Sequence, residues 1–166
     1  ESHKSIDYKV FKKIKYDNKF PTPFNYNFMD VNNIMEMKPT EYPDVADLIE
    51  QIQNWDRSTD VNSTGAGAYA MFYYTLADKY FYKSYYDRNF SKSLIADCLV
   101  EVKKRMKKYF NSTTIKLGDF QKLVRGDKEM PIFGMPDVIT AMNASTYKDG
   151  KVQVTHGESY IQLVKF

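Results

Sequence analysis

The chain is poor in the residues from which most catalytic and metal centres are built. Of its 166 residues one is cysteine, Cys98, and two are histidine, His3 and His156. A lone cysteine excludes an internal disulfide. The sequence also lacks HExxH, CxxC and any glycine-rich phosphate loop, so neither a zinc ligand set nor a nucleotide cradle is expected. Cys98 falls at an apolar position of a helical pattern, where core packing is the expected role. No apolar run approaches 18 residues, which gives no membrane span, and residues 1–11 lack the apolar region of a signal peptide. The charge is nearly even, 24 Lys and Arg against 21 Asp and Glu, too even to call for nucleic acid. The densest basic run, Lys103-Lys104-Arg105 with Lys107-Lys108, reads as the solvated face of one helix. No catalytic, cofactor-binding or metal-binding residue is assigned, and no cofactor is called for.

Aromatic residues are abundant: 14 Tyr and 11 Phe stand against a single Trp. Tyr buries a large ring but needs a partner for its hydroxyl. The excess reads as a drift in composition toward Lys, Asn and Tyr rather than as a set of protein-facing surfaces. Hydrophobic residues at 43% and charged residues at 27% are ordinary for a globular domain with a core of its own.

Three segments follow one another. Residues 1–43 are polar and broken by Pro21, Pro23, Pro39 and Pro43; they read as a loop-rich lead-in with one helical turn set at Val10, Phe11 and Ile14. An ordered loop of that length is expected to lie against a larger body. Residues 44–110 read as three helices. Val45, Leu48, Ile49, Ile52 and Trp55 recur at helical spacing after Pro43-Asp44. A second helix spans about Ser63 to Tyr86 and opens on small residues, Gly65, Ala66, Gly67, Ala68 and Ala70. Glycine weakens a helix, so this opening makes sense only where another backbone packs closely. A third, about Ser91 to Phe110, carries Leu94, Ile95, Cys98, Leu99, Val102, Met106 and Tyr109 along one stripe. Residues 111–166 change period. Val138–Met142, Lys151–Thr155 and Ser159–Phe166 read as strands, with Lys148-Asp149-Gly150 as a hairpin turn and the last strand apolar on both faces. The fold class is α+β.

Few constellations could carry chemistry. Ser159 with His156 and Asp119 or Asp127 makes a triad only on paper, because Ser159 opens a buried-type strand and not a strained elbow. Arg125-Gly126-Asp127 reads as a turn held by an ion pair. Asn62, Asn89, Asn111 and Asn143 begin Asn-x-Ser/Thr sequons, which predict glycans only in a eukaryotic secretory setting.

Five stretches in order resemble one family. Trp55-Asp56, Asp60 and Ser63-Thr64-Gly65-Ala66 resemble a helix ending in Trp-Asp, an acidic turn and a Ser-x-Gly-Ala opening of an aromatic helix. Leu117-Gly118-Asp119 and Arg125-Gly126-Asp127 resemble a Trp-Gly-Asp segment leading to an Arg-Gly-Asp turn, with Leu in place of Trp. Met130-Pro131 and Gly134-x-Pro136-Asp137 are similar to a Leu-Pro and Gly-Gly-Pro-Asp stretch. Gly157-Glu158-Ser159-Tyr160 is similar to a Gly-Asp-Ser-Tyr strand, and Phe11-Lys12-Lys13-Ile14-Lys15-Tyr16-Asp17 to a segment preceding the helices. The family is that of the penicillin, glutaryl-cephalosporin and acyl-homoserine lactone acylases, N-terminal nucleophile hydrolases.

This resemblance implies an αββα sandwich, of which the chain would be a C-terminal portion: a helical layer at about 44–110 followed by antiparallel strands at about 138–166. It implies a self-cleaving precursor whose new N-terminal serine attacks an amide carbonyl of a small acyl amide. The serine's own amine acts as base, and a backbone amide with an Asn holds the oxyanion. None of these groups maps onto this chain, and Ser2 lacks the context of the nucleophile. The chain alone is therefore expected to be inactive. Its expected partners are the rest of the large subunit and the small subunit, in a periplasmic or extracellular setting. Relatives often keep a Glu where Lys165 stands, and a cation cannot accept an imidazole N–H. The rival expectation is a stand-alone binding module that uses the aromatic helix Tyr69–Tyr86 as a partner surface.

Overall fold

The computed structural model describes residues 7–24, 30–86, 89–136, 138, 143–157 and 164, with backbone only over 81–86. It is an α+β arrangement of five helices and a four-stranded sheet: α1 Tyr8–Lys15, α2 Ala46–Gln53, α3 Thr64–Tyr86, α4 Lys92–Phe110, α5 Leu117–Phe120, β1 Gln121–Arg125, β2 Lys128–Pro131, β3 Asn143–Thr146 and β4 Val152–His156.

The helical segments form where spacing and caps call for them. Pro43 starts a short 3-10 turn that runs into α2, whose buried face is Leu48, Ile49 and Ile52. Ser63 caps α3 by accepting from the Ala66 N–H at 3.1 Å, and Ser91 caps α4 by accepting from the Leu94 N–H. The α4 stripe is buried at Ile95, Cys98, Leu99, Val102 and Met106, half-buried at Leu94 and exposed at Tyr109, and the helix stops at Asn111, whose left-handed backbone ends it. Two cations of the supposedly solvated α4 face are engaged within the chain. Lys103 pairs with Asp47 of α2 at 2.7 Å, and Arg105 donates to the Gly150 carbonyl at 2.8 Å. The basic face thus ties α4 to its neighbours through long, partly buried side chains.

The described part of the loop-rich lead-in packs on the chain's own helical layer. Phe20, Phe24, Val31, Ile34 and Met37 are all buried in the common core. Gln53 of α2 holds the turn at Asn32–Glu36 by donating to the carbonyls of Ile34 and Met37, each at 2.8 Å. A strap at 18–20 is bound to residues 57–59: the Phe20 N–H donates to the Arg57 carbonyl at 2.8 Å, and the Thr59 N–H donates to the Asn18 carbonyl at 3.0 Å.

The sheet differs from the expected one in two ways. Its order is β2-β1-β4-β3, so it starts at Gln121 and includes a hairpin that the apolar pattern does not reveal. Lys122, Arg125, Lys128 and Glu129 interrupt the alternation there, while Gly126 supplies the positive φ of 61° that closes the turn. Arg125 donates to the carbonyl of Val124 at 3.0 Å, so its guanidinium meets backbone where an ion pair with Asp127 was expected. The junction between β1 and β4 is parallel, Gln121 opposite Val152, so the sheet is mixed and not purely antiparallel. Lys148-Asp149-Gly150 does form the turn into β4, but the strand before it is β3, at Asn143–Thr146. Val138 is a buried bend, and the rest of the expected strand at 139–142 lies outside the described residues. The expected closing strand at 159–166 also lies outside them, apart from Val164. A carboxylate clamp joins β2 to that turn: Glu129 accepts from Lys148 at 2.8 Å and from Lys151 at 2.9 Å. Hydrogen bonds from both lysines hold the Glu129 carboxyl down at about 2.

Candidate functional site

Three of the resemblance stretches, those at 55–66, 117–119 and 130–137, meet at the first turn of α3, while Phe11–Asp17 runs along α1 and Arg125-Gly126-Asp127 forms the β1–β2 turn. What packs against the small residues there is Trp55 on one side and the strand-like segment before α5 on the other. A Cβ on Gly65 would lie 2.5 Å from the Trp55 Cβ, and one on Gly67 would collide with the Ile115 carbonyl oxygen. The Leu117 N–H donates to the Ser63 carbonyl at 3.0 Å, and the Gly118 N–H donates to the Val61 carbonyl at 2.8 Å. A Cβ on Gly118 would in turn meet Pro131 and Val61. The Gly134 N–H closes the knot by donating to the Thr59 carbonyl at 3.1 Å. Residues 55–67, 115–118 and 131–134 thus pack directly on one another, with glycine where backbone must approach backbone.

The remaining motif residues brace this junction. Trp55 donates its indole N–H to the Ser58 carbonyl at 2.8 Å, and Asp56 accepts the Ser58 N–H at 2.9 Å. That backbone bond, with help from Lys19, holds the Asp56 carboxyl below its ordinary value. Asp60 accepts the Asn62 N–H, and Asp119 accepts the Lys116 N–H at 3.4 Å. Asp56, Asp60 and Asp119 each cap a turn, which is what short polar side chains do best in such places.

An aromatic cluster lies under the junction. Tyr69 stacks on Phe24 at 4.6 Å and on Trp55 at 5.3 Å between ring centres, and meets Phe20 edge-on at 5.1 Å. Burial pushes the Tyr69 and Tyr74 hydroxyls far above the ordinary tyrosine value, so neither can serve as a base. Arg57 covers the cluster with its guanidinium carbon 3.4 Å from the Phe24 ring centre and takes a left-handed backbone, φ 69°. Its role is missed by a reading of spacing, because it depends on a turn shape that Arg-Ser-Thr-Asp does not announce. Tyr69, Phe72, Tyr73 and Tyr74 are all buried, so the first half of the aromatic helix faces the core and offers no partner surface.

A cleft of about 870 Å³ opens beside the junction, with Asp47, Glu50, Asp56 and Asp60 on its walls. Burial raises the Asp47 carboxyl, but hydrogen bonds from Lys103 and Thr113 outweigh it and leave the group below its ordinary value. A general acid needs a raised carboxyl. Asp47 and Asp56 are shifted the other way.

Of the triad considered from sequence, the described residues place Asp119, Asp127 and His156, while Ser159 lies outside them. Asp119 caps α5, Asp127 sits in the β1–β2 turn, and His156 is exposed at the end of β4 with Thr155 Oγ1 3.0 Å from its Nδ1. Ser159, His3, Ser2 and Lys165 lie outside the described residues. Cys98 is fully buried and desolvation pushes its thiol up to about 12, which makes it a packing residue. Among the described residues no group of three or more His, Cys, Asp or Glu is placed to hold a metal ion, and no helix is long and apolar enough to cross a membrane. The four sequon asparagines, Asn62, Asn89, Asn111 and Asn143, are exposed. In comparisons with known proteins, no family model matches this chain and no curated protein matches it with statistical support.

Proposed function

We propose that this chain is the C-terminal part of the large subunit of an acylase that hydrolyses small acyl amides through an N-terminal serine. In this reading it braces the catalytic layer and does not perform the chemistry. The observation that carries the reading is the junction at the head of α3. Resembling motifs separated by some 50–70 residues of sequence meet there, and each glycine of the Ser-Thr-Gly-Ala and Leu-Gly-Asp stretches occupies a contact that a side chain would block, Gly65 against the Trp55 side chain and Gly118 against Pro131 and the Val61 carbonyl. A chance likeness gives no reason for the motif residues to touch. Asp56, Asp60 and Asp119 act as turn caps, which suits a bracing part. The nucleophile, its amine base and the oxyanion donors would come from the rest of the enzyme.

The test is an activity assay on two samples with phenylacetyl and fatty-acyl anilides. The chain alone is expected to release no chromophore, while the native gene product that carries it releases it. Turnover by the chain alone that depends on one of its own residues would overturn the bracing role. Silence from a folded native product on every acyl length would overturn the acylase reading.

A further inference from the structure

We propose that the cavity between α3 and α4 binds a small α-amino acid in its zwitterionic form. Thr75, Asp78 and Lys79 share one face of α3, and Glu101 and Arg105 stand one turn apart on α4. Together they line a cavity of about 360 Å³, at the low end of the range for small-molecule sites. It lies some ten residues along α3 from the junction at the head of that helix, or about 15 Å away. The inference does not rest on the acylase reading.

Thr75 is only 7% exposed, and its hydroxyl has no hydrogen-bond partner among the described residues. A buried hydroxyl left unpaired is unfavourable, and a ligand group that pairs with it removes that penalty. The charges beside it are two of each sign, and only one pair is closed. Lys79 and Glu101 are engaged with each other at 2.6 Å. Asp78 and Arg105 have no ion-pair partner among the described residues. Arg105 donates one nitrogen to the Gly150 carbonyl and holds its guanidinium carbon 5.5 Å from the Phe120 ring centre, so other N–H donors of its fork remain. Burial lowers that guanidinium from its ordinary value, and of the charges that oppose this, Asp78 acts most strongly. Asp78 and Arg105 thus act on each other from beyond ion-pair distance, on a cavity that both line. A simple anion would meet Asp78 and Glu101 there, and a simple cation would meet Arg105 and Lys79. An amino acid suits both signs: its carboxylate accepts from Arg105, its ammonium donates to Asp78, and either group can pair with the Thr75 hydroxyl.

The test is a titration of the isotope-labelled chain with L-alanine, followed by amide shifts in NMR. Saturable shifts are expected at residues 75–79 and 101–105. N-acetyl-L-alanine and L-alaninamide, which each lack one of the two charges, are expected to bind at least about fivefold more weakly. Asp78→Asn and Thr75→Val are each expected to weaken L-alanine binding about fivefold, the worth of one exposed charge pair or one hydrogen bond. Asp78 has no ion pair to lose and the Thr75 hydroxyl no hydrogen bond, so both variants should melt where the parent does. The absence of saturable shifts, saturable shifts confined to other residues, a half-ligand that binds as well as L-alanine, or variants that bind like the parent would overturn the proposal.

Discussion

Replacing Gly67 by Ala sets two effects against each other. In a free helix the change favours α3, since alanine is better than glycine by about 1 kcal/mol. In this chain the new methyl group falls on the carbonyl oxygen of Ile115, which is backbone and cannot rotate away. Relieving the clash means moving the segment at 115–118, which strains the bonds from Leu117 to Ser63 and from Gly118 to Val61. Two such bonds are worth about 1 kcal/mol each, and overpacking a close contact adds roughly 1–3 kcal/mol. After the helical gain is set against them, the net loss is about 2–4 kcal/mol. For a chain of this size that lowers Tm by roughly 4–16 °C. Gly126→Ala is the control. Its Cβ would meet nothing within 4 Å, so only the left-handed strain is charged, on the order of 1–2 kcal/mol. Thermal melts followed by circular dichroism compare the two directly. If Gly67→Ala is as stable as the parent, or less damaging than Gly126→Ala, the junction is not a backbone contact and the reasoning fails.

Other perturbations have equally definite outcomes. Phe24→Ala removes the ring under Arg57 and beside Tyr69, and should cost about 3–5 kcal/mol in urea unfolding. Glu129 has a carboxyl held at about 2, below its ordinary 4.5, so its contribution is present above pH 4.5 and is lost as pH falls toward 2. Glu129→Gln should therefore flatten the acid limb of a stability profile between those values and leave the slope near neutrality unchanged. Cys98 should resist thiol reagents at pH 8 in the folded chain and react at the rate of a free thiol once unfolded, because burial, not sequence context, suppresses it.

What the sequence revealed and what it hid follow from the kind of interaction involved. The helices were legible because Leu48, Ile49 and Ile52, or Ile95, Leu99 and Val102, repeat at a spacing that only a helix turns into a face. The small-residue opening of α3 was legible for a related reason: glycines that a helix does not want point to a neighbour. Its neighbours Trp55 and Ile115 were not legible, since nothing local links them to residue 65 or 67. The hairpin of β1 and β2 was hidden because its strands are half-solvated and charged. Glu129 there is spent on the Lys148 and Lys151 clamp rather than on an alternating pattern. The lead-in was underrated because Phe20, Phe24 and Ile34 reach the core from irregular backbone, which carries no period at all.

The most direct test of the account is the intact mass and N-terminal sequence of the native gene product that contains this chain. The account predicts two polypeptides cut from one precursor, the larger beginning with serine and carrying this chain in its C-terminal half. A single uncut polypeptide that retains full activity on acyl amides, or a cut that leaves no serine, threonine or cysteine at the new terminus, would contradict it.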